Sequence, residues 1–119
     1  VIDIMATCLD LTGATYPDKY NGYDIQPYMG ISMKPIFETG DRTTDRDLCF
    51  EHFNEKALID AQGWKIVQPA NGNEWELYDL NNDRSEMHNL ASIYPDRVKD
   101  VVKRYLEWEK NCKVVPRPK

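Results

Sequence analysis

The sequence predicts an α+β fold: a four-stranded antiparallel sheet packed against a C-terminal helix, preceded by a short helix and an irregular loop. Three observations predict it. Four short runs of strand character, divided by brief turns, lie between Leu48 and Asp79. A stripe of apolar residues at helical spacing follows Pro95. An apolar N-terminal segment leads into a stretch rich in Tyr, Pro, Gly and Asn. At 119 residues with 41% hydrophobic and 11% aromatic content, the chain suits one domain, or a small domain with something attached.

Residues 1–11 are apolar at Ile4, Met5, Cys8, Leu9 and Leu11, a near-helical spacing with few residues suited to water. Asp3 is the expected N-cap, and Gly13 stands where the helix would stop. A helix this apolar is expected to lie against a larger body. Residues 14–30 read as an ordered irregular loop, because a free linker would not carry Tyr16, Tyr20, Tyr23 and Tyr28. "SMKPIFETG" offers one or two helical turns, with Ser32 as cap, Pro35 in the first turn and Gly40 past the end. "GDRTTDRD", residues 40–47, is the expected boundary between regions 1–40 and 41–119.

Past that boundary the strand runs are Leu48–His52, Lys56–Asp60, Trp64–Gln68 and Trp75–Asp79, spaced as in an antiparallel meander. The helix expected over Ile93–Asn111 carries Val98, Val101, Val102, Tyr105 and Trp108 as its buried stripe, widened by Leu106. Asp100 and Arg104 make a favourable i,i+4 pair on its polar side.

The net charge of −5 offers nucleic acid no general attraction. From Pro95 onward eight basic and four acidic residues give +4, leaving −9 for the rest; a solvated helix face with a basic tail explains this more simply than a phosphate-binding patch. Cys8, Cys49 and Cys112 are far apart and form no C-x-x-C pair, which argues against zinc and against a disulfide framework. Nothing resembles a membrane span or a signal peptide. The chain opens on Val1 with no initiator Met or leader, so a longer parent is expected.

Two places hold residues with chemistry. In "WELYDLNNDRSEMHNL", Asp79, Asn81, Asp83 and Ser85 alternate as oxygen ligands do in a calcium loop. Arg84 occupies the required glycine position, however, and Leu90 the bidentate glutamate position. A strand-to-helix corner explains these residues better: Asp83 or Ser85 can cap a turn, and Leu80 and Leu90 can plug the corner into the core. In "FEHFNEK", His52 ends a strand beside Glu51, with Asn54, Glu55 and Lys56 after it; the residues alone fit either an ordinary polar hairpin or one that protrudes into a pocket. No G-x-S-x-G elbow and no glycine-rich phosphate loop is present.

Four segments, in this order, resemble the C-terminal end of the formylglycine-dependent sulfatases, the arylsulfatase-like enzymes of the alkaline phosphatase superfamily. "VIDIMATCLDLTGA" is similar to the helix that follows the last part of their catalytic domain, with Ala6 where that pattern has proline. "NGYDIQPYMGISMKPIFETG" resembles the family loop ending in G-x-S-L-x-P-L-L-x-G. "FEHFNEKALIDAQGWKIV" resembles the strand pair around W-E-H-x-G-x-R-A-[IV] and the W-K strand after it. "WELYDLNNDRSEMHNLA" is similar to [WF]-E-L-Y-D-[LI]-x-x-D-P-x-E-x-x-N-L-A, with Arg84 replacing proline.

The resemblance implies that residues 1–40 end a sulfatase catalytic domain and that 41–119 form its C-terminal subdomain. Such enzymes turn the Cys or Ser of a C-x-[PA]-S-R motif into formylglycine and use a calcium ion to polarise the sulfate. None of the three cysteines, and no serine, stands in that motif. The fragment is therefore expected to hold neither cofactor nor metal, to contribute no catalytic residue and to be inactive alone. Its implied partners are the missing N-terminal catalytic domain and, through the parent, a sulfate ester. No nucleic acid or membrane partner is expected. By motif position, substrate binding falls on His52 and on Lys56, which stands in place of an arginine. The Ile4, Met5 and Leu9 side is expected to be an exposed apolar patch through which the isolated chain could dimerise. Family habit places the parent in the periplasm or outside the cell. The competing reading is a stand-alone binding or interaction module derived from a sulfatase tail.

Overall fold

The computed structural model describes residues 2–40, 45–72 and 74–115. The chain divides into two compact units, residues 1–43 and 44–119. Part of the 40–47 connection, residues 41–44, lies outside the described residues.

The first unit holds α1 (Asp3–Thr12), a two-residue hairpin of β1 (Lys19–Tyr20) and β2 (Tyr23–Asp24), and α2 (Lys34–Thr39). Asp3 is not the N-cap of α1; Ile2 is, and it makes no side-chain capping bond. The Asp3 carboxylate instead accepts the N–H of Ile31 at 2.9 Å, a long-range bond that ties α1 to the segment before α2. Thr7 continues the same seam, donating to the Asp3 carbonyl at 2.7 Å and accepting the N–H of Met33 at 2.9 Å. The seam is tight enough that a Cβ on Gly30 would sit 2.1 Å from the Ile2 carbonyl oxygen, so only glycine fits. Ser32 is not the N-cap of α2 either; Met33 is, without a side-chain capping bond, and the Ser32 Oγ one residue earlier accepts the N–H of Lys34 at 3.1 Å.

The loop is less irregular than the sequence suggested, since β1 pairs with β2. Its tyrosines divide: Tyr16 meets Tyr28 edge-on at 5.2 Å, while Tyr20 and Tyr23 are exposed. Among the described residues of this unit only Asp3, Ala6 and Thr7 are buried. Ile2, Ile4, Met5, Leu11, Met29 and Phe37 all face solvent, and Leu9 is half-buried. Among its described residues the unit is held by polar seams and has no cluster of buried apolar side chains.

The second unit is a meander of β3 (Leu48–His52), β4 (Glu55–Ile59), β5 (Trp64–Gln68) and β6 (Glu76–Asp79), antiparallel throughout, with α3 (Pro95–Asn111) on one face. Leu58, Ile66 and Leu77 align across three strands by register and meet Val101 and Tyr105 of α3; all five are fully buried. At roughly 1.5–3 kcal/mol per fully buried large apolar side chain, this cluster is the main support of the unit. Val98, Val102 and Trp108 pack on it, but Leu106 is exposed and does not widen the stripe. Trp75 and Trp108 flank Tyr105 at 5.4 and 5.5 Å between ring centres.

Small shifts from the expected boundaries have local causes. β4 stops before Asp60 because that carboxylate turns to accept the N–H groups of Gln62 and Trp64, each at 2.9 Å. α3 starts at Pro95 because Ile93 and Tyr94 both donate to the Leu90 carbonyl at 3.0 Å and close a turn first. Asp60 is nearly inaccessible and also faces Arg97 at 3.4 Å and Arg104 at 3.5 Å, which ties the β4–β5 turn to α3. Arg97 lies over the Trp64 ring at 4.6 Å, and Arg104 pairs with Asp47 and, one turn back, with Asp100 at 3.3 Å.

Candidate functional site

The corner 79–90 spends its oxygens on its own backbone. The Asp79 carboxylate accepts the N–H of Asn81 at 3.1 Å and the side-chain amide of Asn82 at 2.7 Å. The Asn82 amide is the chief reason its pKa lies below the ordinary value of 3.8. Asn81 donates from its side chain to the Gln62 carbonyl at 2.8 Å, linking the corner to the β4–β5 turn. Asp83 accepts the N–H groups of Met87 at 3.1 Å and His88 at 2.8 Å, and these bonds lower its pKa. On the other side, Asn89 accepts the Leu77 N–H at 3.1 Å, and Leu90 donates to the Leu77 carbonyl at 2.8 Å, closing the outer edge of β6. Leu90 packs on the core and Leu80 is half-buried. Among the described residues no group of three acidic, His or Cys side chains is placed to hold a metal ion.

The β3–β4 hairpin is the more exposed feature. Its turn residues, Phe53 and Asn54, have φ of 53° and 68°, the two left-handed conformations of a type I′ turn. Asn accepts that conformation readily; Phe does not, so the tip carries local strain of order 1 kcal/mol. The Glu51 carboxylate holds the turn by accepting the Asn54 N–H at 2.9 Å. His52 is exposed, its ring edge-on to Phe53 at 4.2 Å.

Cross-strand pairs share a face, and the register pairs Glu51 with Lys56 and His52 with Glu55. The two residues expected to bind substrate therefore lie on opposite faces of the sheet. Lys56 turns toward α3, pairing with Glu109 at 2.6 Å and lying 5.7 Å above the Tyr105 ring. His52 projects from the open face beside Glu55.

Also on the helix side, burial and nearby Asp47 push the Cys49 thiol up to about 12, so it is an unreactive, small hydrophobic group. Cys8 and Cys112 are exposed. Sequence reasoning missed the open face as a feature. Leu48 and Phe50 share it with His52, an alternation visible in "LCFEH", but Cys49 on the opposite side is apolar too, so periodicity gave no reason to prefer either face.

No protein-family profile matches the chain. The chain is 30% identical over 128 aligned residues to an uncharacterized sulfatase of Schizosaccharomyces pombe, an alignment covering 99% of this chain and 22% of the relative. It is 29% identical to an N-acetylglucosamine-6-O-sulfatase of Bacteroides thetaiotaomicron, covering 94% of this chain and 21% of that protein. Its fold also matches the crystal structure of Ps i-CgsB in complex with a neocarrahexaose, with a TM-score of 0.67 at 23% identity, over 92% of this chain and 24% of the other. The chain belongs to the sulfatase family. Within it, the chain matches the C-terminal portion, and it spans about a fifth of the length of the curated relatives.

Proposed function

We propose that this chain completes the fold of a sulfuric ester hydrolase and that its β3–β4 hairpin walls the substrate pocket. One observation carries the reading: in residues 2–40 most of the large apolar side chains face outward, in a chain that matches nearly end to end only about a fifth of each sulfatase relative. A helix with that surface is stable when a larger body covers it.

The parent's formylglycine and calcium would supply the nucleophile and the polarisation of the sulfate. Among the described residues the Asp83 carboxylate is committed to backbone N–H groups, and the half-buried Cys49 thiol is pushed up to about 12. The contribution of this chain is therefore positional. His52, at a braced and strained tip, is the residue proposed to meet the substrate. Lys56 would join it only by exchanging Glu109 for an anionic group of the substrate. A carbohydrate sulfate is the proposed substrate class, after the N-acetylglucosamine-6-O-sulfatase named above. Among the described residues no helix is long and apolar enough to cross a membrane; export of the parent to the periplasm or the exterior is part of the same proposal.

The test is the longer polypeptide read from the coding sequence that contains this chain, assayed for sulfate release from sugar and aryl sulfates. His52→Ala is expected to lower kcat/KM about 10- to 100-fold with an unchanged melting temperature. Unaltered kinetics would remove His52 from the pocket wall. A polypeptide with no upstream catalytic region would favour the stand-alone binding module.

A further inference from the structure

The proposed pocket wall carries a negative charge that the strands of its own sheet face leave unbalanced. The turn at Phe53–Asn54 sets His52 and Glu55 opposite each other as the tip row of the open face, and both are exposed. The next row inward begins with apolar Phe50 and Ala57. Strands β3 to β6 hold two lysines and no arginine. Lys56 lies on the opposite face and pairs with Glu109 at 2.6 Å. Lys65 shares the open face but stands at its far end, level with Ile59, and pairs with Glu86 at 2.6 Å. Glu51, the other carboxylate of the hairpin, is on the helix side and accepts the Asn54 N–H. Glu55 is thus the one acidic side chain that the hairpin shows beside His52.

We infer that Glu55 is a specificity-determining residue: beside His52, its carboxylate selects sulfated sugars that turn an ammonium or hydroxyl group to the hairpin and rejects those that turn a second sulfate there. The inference deepens the reading above and rests on it, since it needs His52 to meet the substrate. A carboxylate only accepts hydrogen bonds, and a neutral imidazole accepts at one nitrogen and donates at the other. The pair therefore suits a donor. A sulfate group offers acceptor oxygens alone, and here it would meet a like charge with no strand cation of that face close enough to offset it. Two like charges about 6 Å apart weaken binding about 3-fold in a fully wet site and about 100-fold in a partly enclosed one. An ammonium in the same place gains by a similar factor.

The test uses the longer polypeptide and three sugars that differ only at C2: glucosamine 6-sulfate with its ammonium, the N-acetyl form and the N-sulfo form. Each is scored by kcat/KM or, where it is not cleaved, by its inhibition constant against 4-nitrophenyl sulfate. The assay is run at about pH 8, where histidine is ordinarily neutral. The ammonium sugar should be preferred over the N-sulfo sugar about 10-fold or more, with the N-acetyl sugar between them. Glu55→Gln should shrink that ratio about 5-fold or more at an unchanged melting temperature, and Glu55→Lys should reverse the order. Salt raised from about 0.02 to 0.5 M should shrink the wild-type ratio and leave that of Glu55→Gln nearly constant. Glu107→Gln, at an exposed carboxylate of α3, should keep the wild-type ratio. A ratio that Glu55→Gln leaves intact, or a wild-type preference for the N-sulfo sugar, would overturn the inference, while sulfate release keeps the functional reading. Release of sulfate from none of the four compounds would refute that reading and the inference with it.

Discussion

Replacing Asp60 by Ala should cost most of the stability that the sheet unit can spare. The carboxylate makes two bonds to backbone N–H groups at 2.9 Å, holding the β4–β5 turn, and its side chain is only 4% exposed. Hydrogen bonds to a charged acceptor contribute about 1.5 kcal/mol each at the low end, and the freed N–H groups gain no partner unless water enters. The contacts with Arg97 and Arg104 are long, and both arginines are about one-third exposed, so they add only a few tenths. The expected loss is about 3–4 kcal/mol, against roughly 4–11 kcal/mol for a unit of this size. Asp60→Asn keeps one acceptor oxygen for the turn and should lose only about 1–2 kcal/mol. Urea unfolding followed by tryptophan fluorescence suits the measurement, because Trp64, Trp75 and Trp108 all belong to this unit and pack around its core. A loss below about 0.5 kcal/mol for Asp60→Ala would refute the reasoning. Equal losses for Ala and Asn would show that charge, not the turn bonds, carries the effect.

Leu58→Ala, at a fully buried position of the central cluster, should cost about 2–5 kcal/mol in the same assay. Phe53→Asn should gain about 0.5 kcal/mol by relieving a left-handed phenylalanine, read as a raised urea midpoint with unchanged slope. Asp79 and Asp83 have pKa values below 3.8 in the folded chain, so the stability they contribute is present above that value and is lost as pH falls through their folded values. Acid titration by circular dichroism should show the loss below about pH 4, shallower in Asp83→Asn. Light scattering should show self-association that grows with concentration, reduced by a double Ile4→Lys, Met5→Lys change on α1.

Much of the second unit was legible because its pattern is local. "WKIVQ" and the Val98-to-Trp108 stripe each declare a face, and Pro95 marks where the helix can begin. What escaped depended on long-range partners. Asp3 reads as a cap from its neighbours, yet its acceptor role is set by Ile31, 28 residues away. Leu106 reads as a stripe member at helical spacing, but it lies outside the packed cluster and is exposed. The calcium-like alternation of the corner dissolves once Asp79 and Asp83 are seen to accept nearby N–H groups. For the candidate site, the motif brought His52 and Lys56 to notice together. The strand alternation that separates them needs the register of β3 on β4, which the sequence shows only after the turn at Phe53–Asn54 is placed.

The most direct test compares sulfate release by two proteins: the 119-residue chain alone, and the longer polypeptide encoded with it, each supplied with calcium. The account predicts turnover of a sugar or aryl sulfate by the longer form and none by the chain. Release of inorganic sulfate by the chain alone, at a rate comparable to the longer form, would contradict it.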